Sequence, residues 1–92
     1  MISPQKLQEL RDSFNQQSVA LILAYIGYEI LRNYKFRIRD EKTPSASIRD
    51  DGYISDFGGE FRGDIISFLQ IHKSLSFQES VAYVAVLLGV EL

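Results

Sequence analysis

The spacing of apolar residues changes twice along this chain, and that change restricts the fold more than any other feature of the sequence. Leu7, Leu10 and Phe14 fall at i, i+3 and i+7, a helical stripe, and Val19 to Ile26 forms a second, strongly apolar helical run. From Tyr28 to Ile38 the sequence YEILRNYKFRI is rich in aromatic and β-branched residues and predicts extended chain. Helical spacing returns with Ile65, Phe68, Leu69 and His72, then with Val81, Val84, Ala85 and Leu88. Two helices, a sheet, then two helices is an α+β order. It excludes the alternating βαβ units that build a parallel nucleotide-binding sheet. With 92 residues there is room for one core, so residues 1–92 are expected to form a single domain.

Local signals divide these runs. Ser3-Pro4 opens the first helix. Ser18 is the expected cap of the second, which Gly27 stops; that helix is apolar nearly all round and needs burial or a partner. Asp40 to Pro44 reads as a loop and Ala46 to Arg49 as a short strand. Asp50-Asp51-Gly52 carries the Asp-Gly signal of a type I′ hairpin, with Tyr53 to Phe57 as the returning strand. Gly58-Gly59 is a second turn and Gly63 closes the loop. Asp64 can cap a helix over 65–72. Ser76-Phe77-Gln78-Glu79 is a capping box, and Gly89 closes the helix that follows it. The expectation is a small antiparallel sheet over about 28–57, flanked by two N-terminal helices (4–26) and two C-terminal helices (64–88).

Composition removes several function classes. The chain has no cysteine, which excludes a disulfide framework, thiolate catalysis and Cys-type zinc sites. His72 is its one histidine. No apolar run is of membrane-spanning length, and the opening MISPQKLQEL is not a signal peptide, so a cytoplasmic location with no membrane contact is expected. The net charge of −2 hides a segregation. Residues 32–49 carry Arg32, Lys35, Arg37, Arg39, Lys42 and Arg49 against Asp40 and Glu41, a surplus of four positive charges. The other 74 residues hold four basic and ten acidic residues. Basic residues interleaved with Tyr34 and Phe36 can grip a phosphate backbone and stack bases; they can equally form a solvated strand edge.

Other constellations lead nowhere catalytic. The glycines at 58, 59 and 63 match no phosphate-loop pattern, and Asp64 would repel an anion at the helix that follows. Asp50, Asp51, Asp56 and Glu60 read first as a solvated turn, with a magnesium site from Asp51 and Asp56 as the alternative. His72, at the end of an apolar helix, reads as structural. No residue set supports a catalytic mechanism, so neither an enzyme nor a cofactor is expected.

One resemblance covers nearly the whole chain. Asn33-Tyr34-Lys35, Glu41-Lys42-Thr43-Pro44-Ser45, Phe57-Gly58, Gly63-Asp64, Phe68-Leu69, Leu75-Ser76-Phe77 and Gly89-Val90-Glu91-Leu92 stand in order. In this order and spacing the chain resembles the N-terminal zinc-ribbon domain of bacterial and phage DNA primases. The Ile2-Ser3-Pro4 helix and the helix after Ser18 look like the helices that lead into that domain. The chain departs from the family at the metal: its four ligand positions fall on Phe36, Arg39, Asp56 and Gly59. A guanidinium offers no lone pair and glycine no side chain, so a metal-free ribbon is expected.

Structural zinc supplies on the order of 10 kcal/mol to small domains, so something must replace it. Two replacements are expected. One is an aromatic cluster of Phe36 and Phe57, largely buried, with Phe61 and Tyr53 nearby. The other is an Arg39–Asp56 bridge, worth about 1 kcal/mol if exposed.

For function, the resemblance implies a non-catalytic module of DNA replication that recognises single-stranded template, in a phage or mobile element, either as a whole small protein or as a domain of a primase. Arg32, Tyr34, Lys35, Arg37, Lys42, Arg49 and Tyr53 are its candidate DNA contacts. The alternative is an interaction module that docks on a primase, polymerase or helicase without binding DNA.

Overall fold

The computed structural model describes residues 2–40, 42–59 and 61–92. Glu41 of the Glu-Lys-Thr-Pro-Ser motif and Glu60 of the acidic run lie outside the described residues. Among the described residues there are four helices and a four-stranded antiparallel sheet, an α+β fold. The order is α1 (Pro4–Asp12), α2 (Gln16–Ile26), β1 (Lys35–Phe36), β2 (Ala46–Ile48), β3 (Ile54–Asp56), β4 (Arg62–Gly63), α3 (Ile65–His72) and α4 (Phe77–Leu88). No helix of the described residues is long and apolar enough to cross a membrane.

Helix ends follow the capping chemistry with one correction. Ser3 accepts from Lys6 N, Asp64 from Ser67 N, and Ser76 and Glu79 form the expected reciprocal box. Helix α2 starts earlier than expected, because Asn15 and not Ser18 is its cap. The Asn15 side chain accepts from Ser18 N while Ser18 Oγ accepts from Asn15 N, so the serine is the inner member of the box. Asn caps as well as Ser, and this register satisfies two orphan N–H groups instead of one. Gly27 and Gly89 close α2 and α4 in the left-handed conformation.

The sheet departs further from expectation. Of the extended stretch 28–38 only Lys35 and Phe36 are strand. The chain first turns at 31–34, where Tyr34 N donates to Leu31 O, Leu31 N donates to Lys35 O and Tyr34 takes φ 60°. Asn33 is the local turn former that overrides the β propensity of its neighbours: its Oδ1 accepts from Lys35 N. The β2–β3 connection is not type I′. Gly52 N donates to Arg49 O and Arg49 N to Tyr53 O, and only Gly52 of the turn has positive φ, at 88°. This is a type I turn closed by a glycine bulge, which needs one left-handed residue rather than two. The tip docks on α2: Gln16 N donates to Asp50 O and Gln16 Nε2 to Ile48 O. A Cβ on Gly52 would stand 2.9 Å from Val19 Cγ2, so this approach requires glycine. Finally, the sheet continues past Phe57 to a fourth strand, β4, which pairs Ile54 with Gly63 and Ser55 with Arg62.

The pairing register sorts side chains onto two faces. One face carries the row Phe36, Ala46, Asp56 and the row Ile48, Ile54, Gly63. It packs on the helices: Leu10, Val19, Ile22, Leu23, Ile65, Phe68, Val81 and Val84 are buried with Phe36, Ala46, Ile48 and Ile54 in one core. Phe68 is the hub, its ring 5.6 Å from Tyr28, 6.1 Å from Phe36, 5.5 Å from Phe61 and 4.6 Å from the His72 ring. The aromatic cluster is therefore Phe36, Phe61, Phe68, Tyr28 and His72. Phe57 and Tyr53 are not in it, contrary to expectation. Both have the opposite parity on β3 from Ile54 and Asp56, so the pleat turns them outward.

Candidate nucleic-acid interface

The two ligand turns implied by the resemblance are joined by charge. Asp56 ends β3 on the inner face and is 2% exposed. Arg39 Nη1 and Nη2 donate to its carboxylate at 2.9 and 2.8 Å, Ser45 Oγ donates at 3.0 Å and Gly58 N at 3.1 Å. A forked guanidinium–carboxylate pair with two further donors is a strong form of this interaction. Glycine is required beside it. A Cβ on Gly59 would meet Asp56 Oδ2 at 2.6 Å, and one on Gly58 would meet Ser45 Oγ at 2.6 Å and Arg39 Nη2 at 2.8 Å.

Arg39, Asp56 and Gly59 thus meet, and with Phe61, Ile71 and His72 they line a cleft of about 320 Å³. Phe36, the fourth position, shares the Ala46–Asp56 row but packs into the core aromatics. Among the described residues no group of three or more His, Cys, Asp or Glu is placed to hold a metal. Asp51 and Asp56 serve different structures: Asp51 Oδ1 accepts from Tyr53 N at the hairpin tip, and Asp56 anchors Arg39.

His72 forms one wall of that cleft. Its Nε2 is buried with no hydrogen-bond partner among the described residues. Burial against Phe61 and Phe68 pulls its pKa below the usual value, the Asp56 carboxylate opposes this, and Arg39 and Lys73 add to the lowering. The net lowering favours the neutral imidazole.

The outer face of the sheet is different in kind. Its central row runs Lys35, Ser47, Ser55, Arg62 across all four strands. Along β3 and its flanks the outward residues are Tyr53, Ser55 and Phe57, and Phe57 is 72% exposed. Each ring carries a guanidinium. Arg49 lies 5.9 Å from the Tyr53 centroid and Arg62 5.8 Å from that of Phe57. Arg62 is pinned in place by donating to Ser55 Oγ at 2.9 Å.

Of the residues expected to contact DNA, this face brings together Lys35, Arg49 and Tyr53. Arg37 precedes the loop to β2 and donates to Lys42 O at 3.0 Å, which ties these two basic residues to each other beside β1. Arg32 is exposed on the turn before β1. Tyr34 is placed elsewhere: it has the parity of Phe36 and is half-buried against the core. Arg62 and Phe57 were not among the expected contacts. Strand alternation was the available signal, since Phe57 lies four residues from Tyr53 and so shares its face. Compared with protein-family models, curated proteins and solved structures, the chain matches none.

Proposed function

We propose that this chain is a non-catalytic module that binds single-stranded DNA on the outer face of its sheet, in the setting of replication that the primase resemblance implies. The observation that carries the reading is that face: Lys35 and Arg62 at its two edges, with Tyr53 and Phe57 turned outward between flanking arginines. Cations along a groove and rings that accept any base are what sequence-tolerant binding of single strands requires. The test is anisotropy of a labelled oligothymidylate titrated with protein at several salt concentrations. Contacts from Lys35, Lys42, Arg49 and Arg62 give an expected slope of log affinity against log salt of about −3, from roughly −0.7 per phosphate. Lys42→Ala should weaken all oligonucleotides alike and reduce that slope by about 0.7. Absence of binding at about 50 mM salt, where phosphate contacts are strong, overturns the reading.

A different observation favours the second reading, a docking module for a primase, polymerase or helicase. Leu21 and Tyr25 on α2 are each 69% exposed and Val86 on α4 is 79% exposed, with the Tyr25 ring tilted against that of Tyr83 at 6.4 Å. These helices carry one charged residue between them, Glu79. Failure of oligonucleotide binding moves the function to that face.

A further inference from the structure

We infer that Tyr53 and Phe57 are two separate base platforms on one strand, and that the single-stranded DNA runs along β3 with a base on each. This rests on the DNA-binding reading above and specifies how the ligand lies.

The geometry comes from the ladder. Tyr53 and Phe57 are four residues apart on the same side of β3, about 13 Å at the rise of a strand. Phe57 N still donates to Ser45 O at 3.0 Å, so the second ring is held on an extension of the ladder rather than on a free loop. Between the rings the face carries the short side chains of Ser47 and Ser55; Ser55 is buried and accepts from Arg62, so a strand passing from one ring to the other runs over that guanidinium. The two guanidiniums are not equivalent to loose surface cations. Arg62 is fixed by Ser55 and lies against Phe57, and Arg49 lies against Tyr53. Each ring therefore has a guanidinium over its face, a positive charge close enough to pair with the phosphate of a nucleotide stacked there. The 72% exposure of Phe57 has no counterpart in the packing of the fold; its ring buries little and is available to be covered.

The spacing sets the footprint. A stacked strand advances about 3.4 Å per nucleotide and a splayed one roughly twice that, so about 13 Å corresponds to four or two steps. The two platforms take bases two to four steps apart, a footprint of about three to five nucleotides.

Two measurements test this. In a series of oligothymidylates from two to twelve nucleotides, wild-type affinity should rise steeply up to about five nucleotides and thereafter only with the number of available registers. Phe57→Ala should lower affinity about tenfold or more for the longer oligomers, leave the salt slope unchanged, and remove the steep part of the length dependence; Phe57→Trp should retain it. An unchanged melting temperature for Phe57→Ala, expected from its exposure, keeps folding out of the comparison. If Tyr53→Ala weakens binding and Phe57→Ala does not, the strand uses one platform and the inference is wrong while the DNA-binding reading stands. If wild-type protein binds no oligomer at about 50 mM salt, both are wrong.

Discussion

Removing the Arg39 side chain should destabilise this protein more than an exposed ion pair could. Exposed pairs are worth about 0–1 kcal/mol, because water solvates either partner once the other is gone. Here the two partners differ: Arg39 keeps 43% of its side chain in solvent, and Asp56 keeps 2%. In Arg39→Ala a buried carboxylate loses its counter-charge and is left with Ser45 Oγ and Gly58 N–H. Breaking a buried pair this way costs about 3–5 kcal/mol, and the exposure of the arginine places the expected loss near the lower end, about 3 kcal/mol. Asp56→Asn should cost less, about 1–2 kcal/mol, since the amide oxygen can still accept from Ser45 and Gly58 and the guanidinium that loses its counter-ion is partly in solvent.

A domain of this size has a total stability of about 5–14 kcal/mol, so Arg39→Ala should lower Tm by roughly 12–24 °C. The assay is urea denaturation of wild type, both single variants and the double variant. The coupling expected from the cycle is about 1.5–3 kcal/mol, and moderate salt should change it little because one partner is desolvated. Gly59→Ala, which drives a methyl group into Asp56 Oδ2, should reproduce much of the loss without touching either charge. A coupling near zero, or an Arg39→Ala cost below that of Asp56→Asn, would refute the view that the ion pair cross-links the two turns.

Two further predictions concern metal and protons. Purified native protein should contain no stoichiometric zinc by elemental analysis, and a chelator should leave Tm unchanged, since Arg39 and Gly59 offer no metal ligand. His72 has a lowered pKa in the folded state, so the unfolded chain takes up a proton first as pH falls. Stability should therefore be flat above the unfolded value of 6.5 and decline as pH drops below it. In His72→Leu that decline between pH 6.5 and 5 should disappear, as read by thermal melts; an equal decline in the variant would assign it to other groups.

Much of the architecture was legible because short-range chemistry determines it. Asp64 and Ser76 cap the helices they were expected to cap, since a carboxylate or hydroxyl facing free N–H groups needs no tertiary information. The Arg39–Asp56 pair was also legible, through the resemblance that aligned their positions. What failed were features decided by packing or by competing local bonds. Nothing in Arg62-Gly63 reads as a strand; it becomes one because β3 has an open edge there. The 28–38 stretch has strand propensity, yet Asn33 and the positive φ of Tyr34 turn the chain and leave two residues of ladder. Phe57 was misplaced because it was expected in an aromatic cluster where the resemblance puts a metal, whereas its parity with Tyr53 sends it outward.

That misplacement matters for function. An aromatic plug tying the two turns together would have drawn Phe57 inward and removed it from the outer face. The link is made instead on the inner side, by a carboxylate whose four donors come from Arg39, Ser45 and Gly58. The core aromatics gather around Phe68 without Phe57. The pleat then separates two duties along one strand: Ile54 and Asp56 hold the fold, while Tyr53 and Phe57 face out beside Arg49 and Arg62. The outer row adds no apolar side chain to the core, and its one buried member, Ser55, is held by Arg62. Under the proposed reading, joining the turns through Arg39 and Asp56 rather than through Phe57 leaves a second aromatic ring exposed for single-stranded DNA.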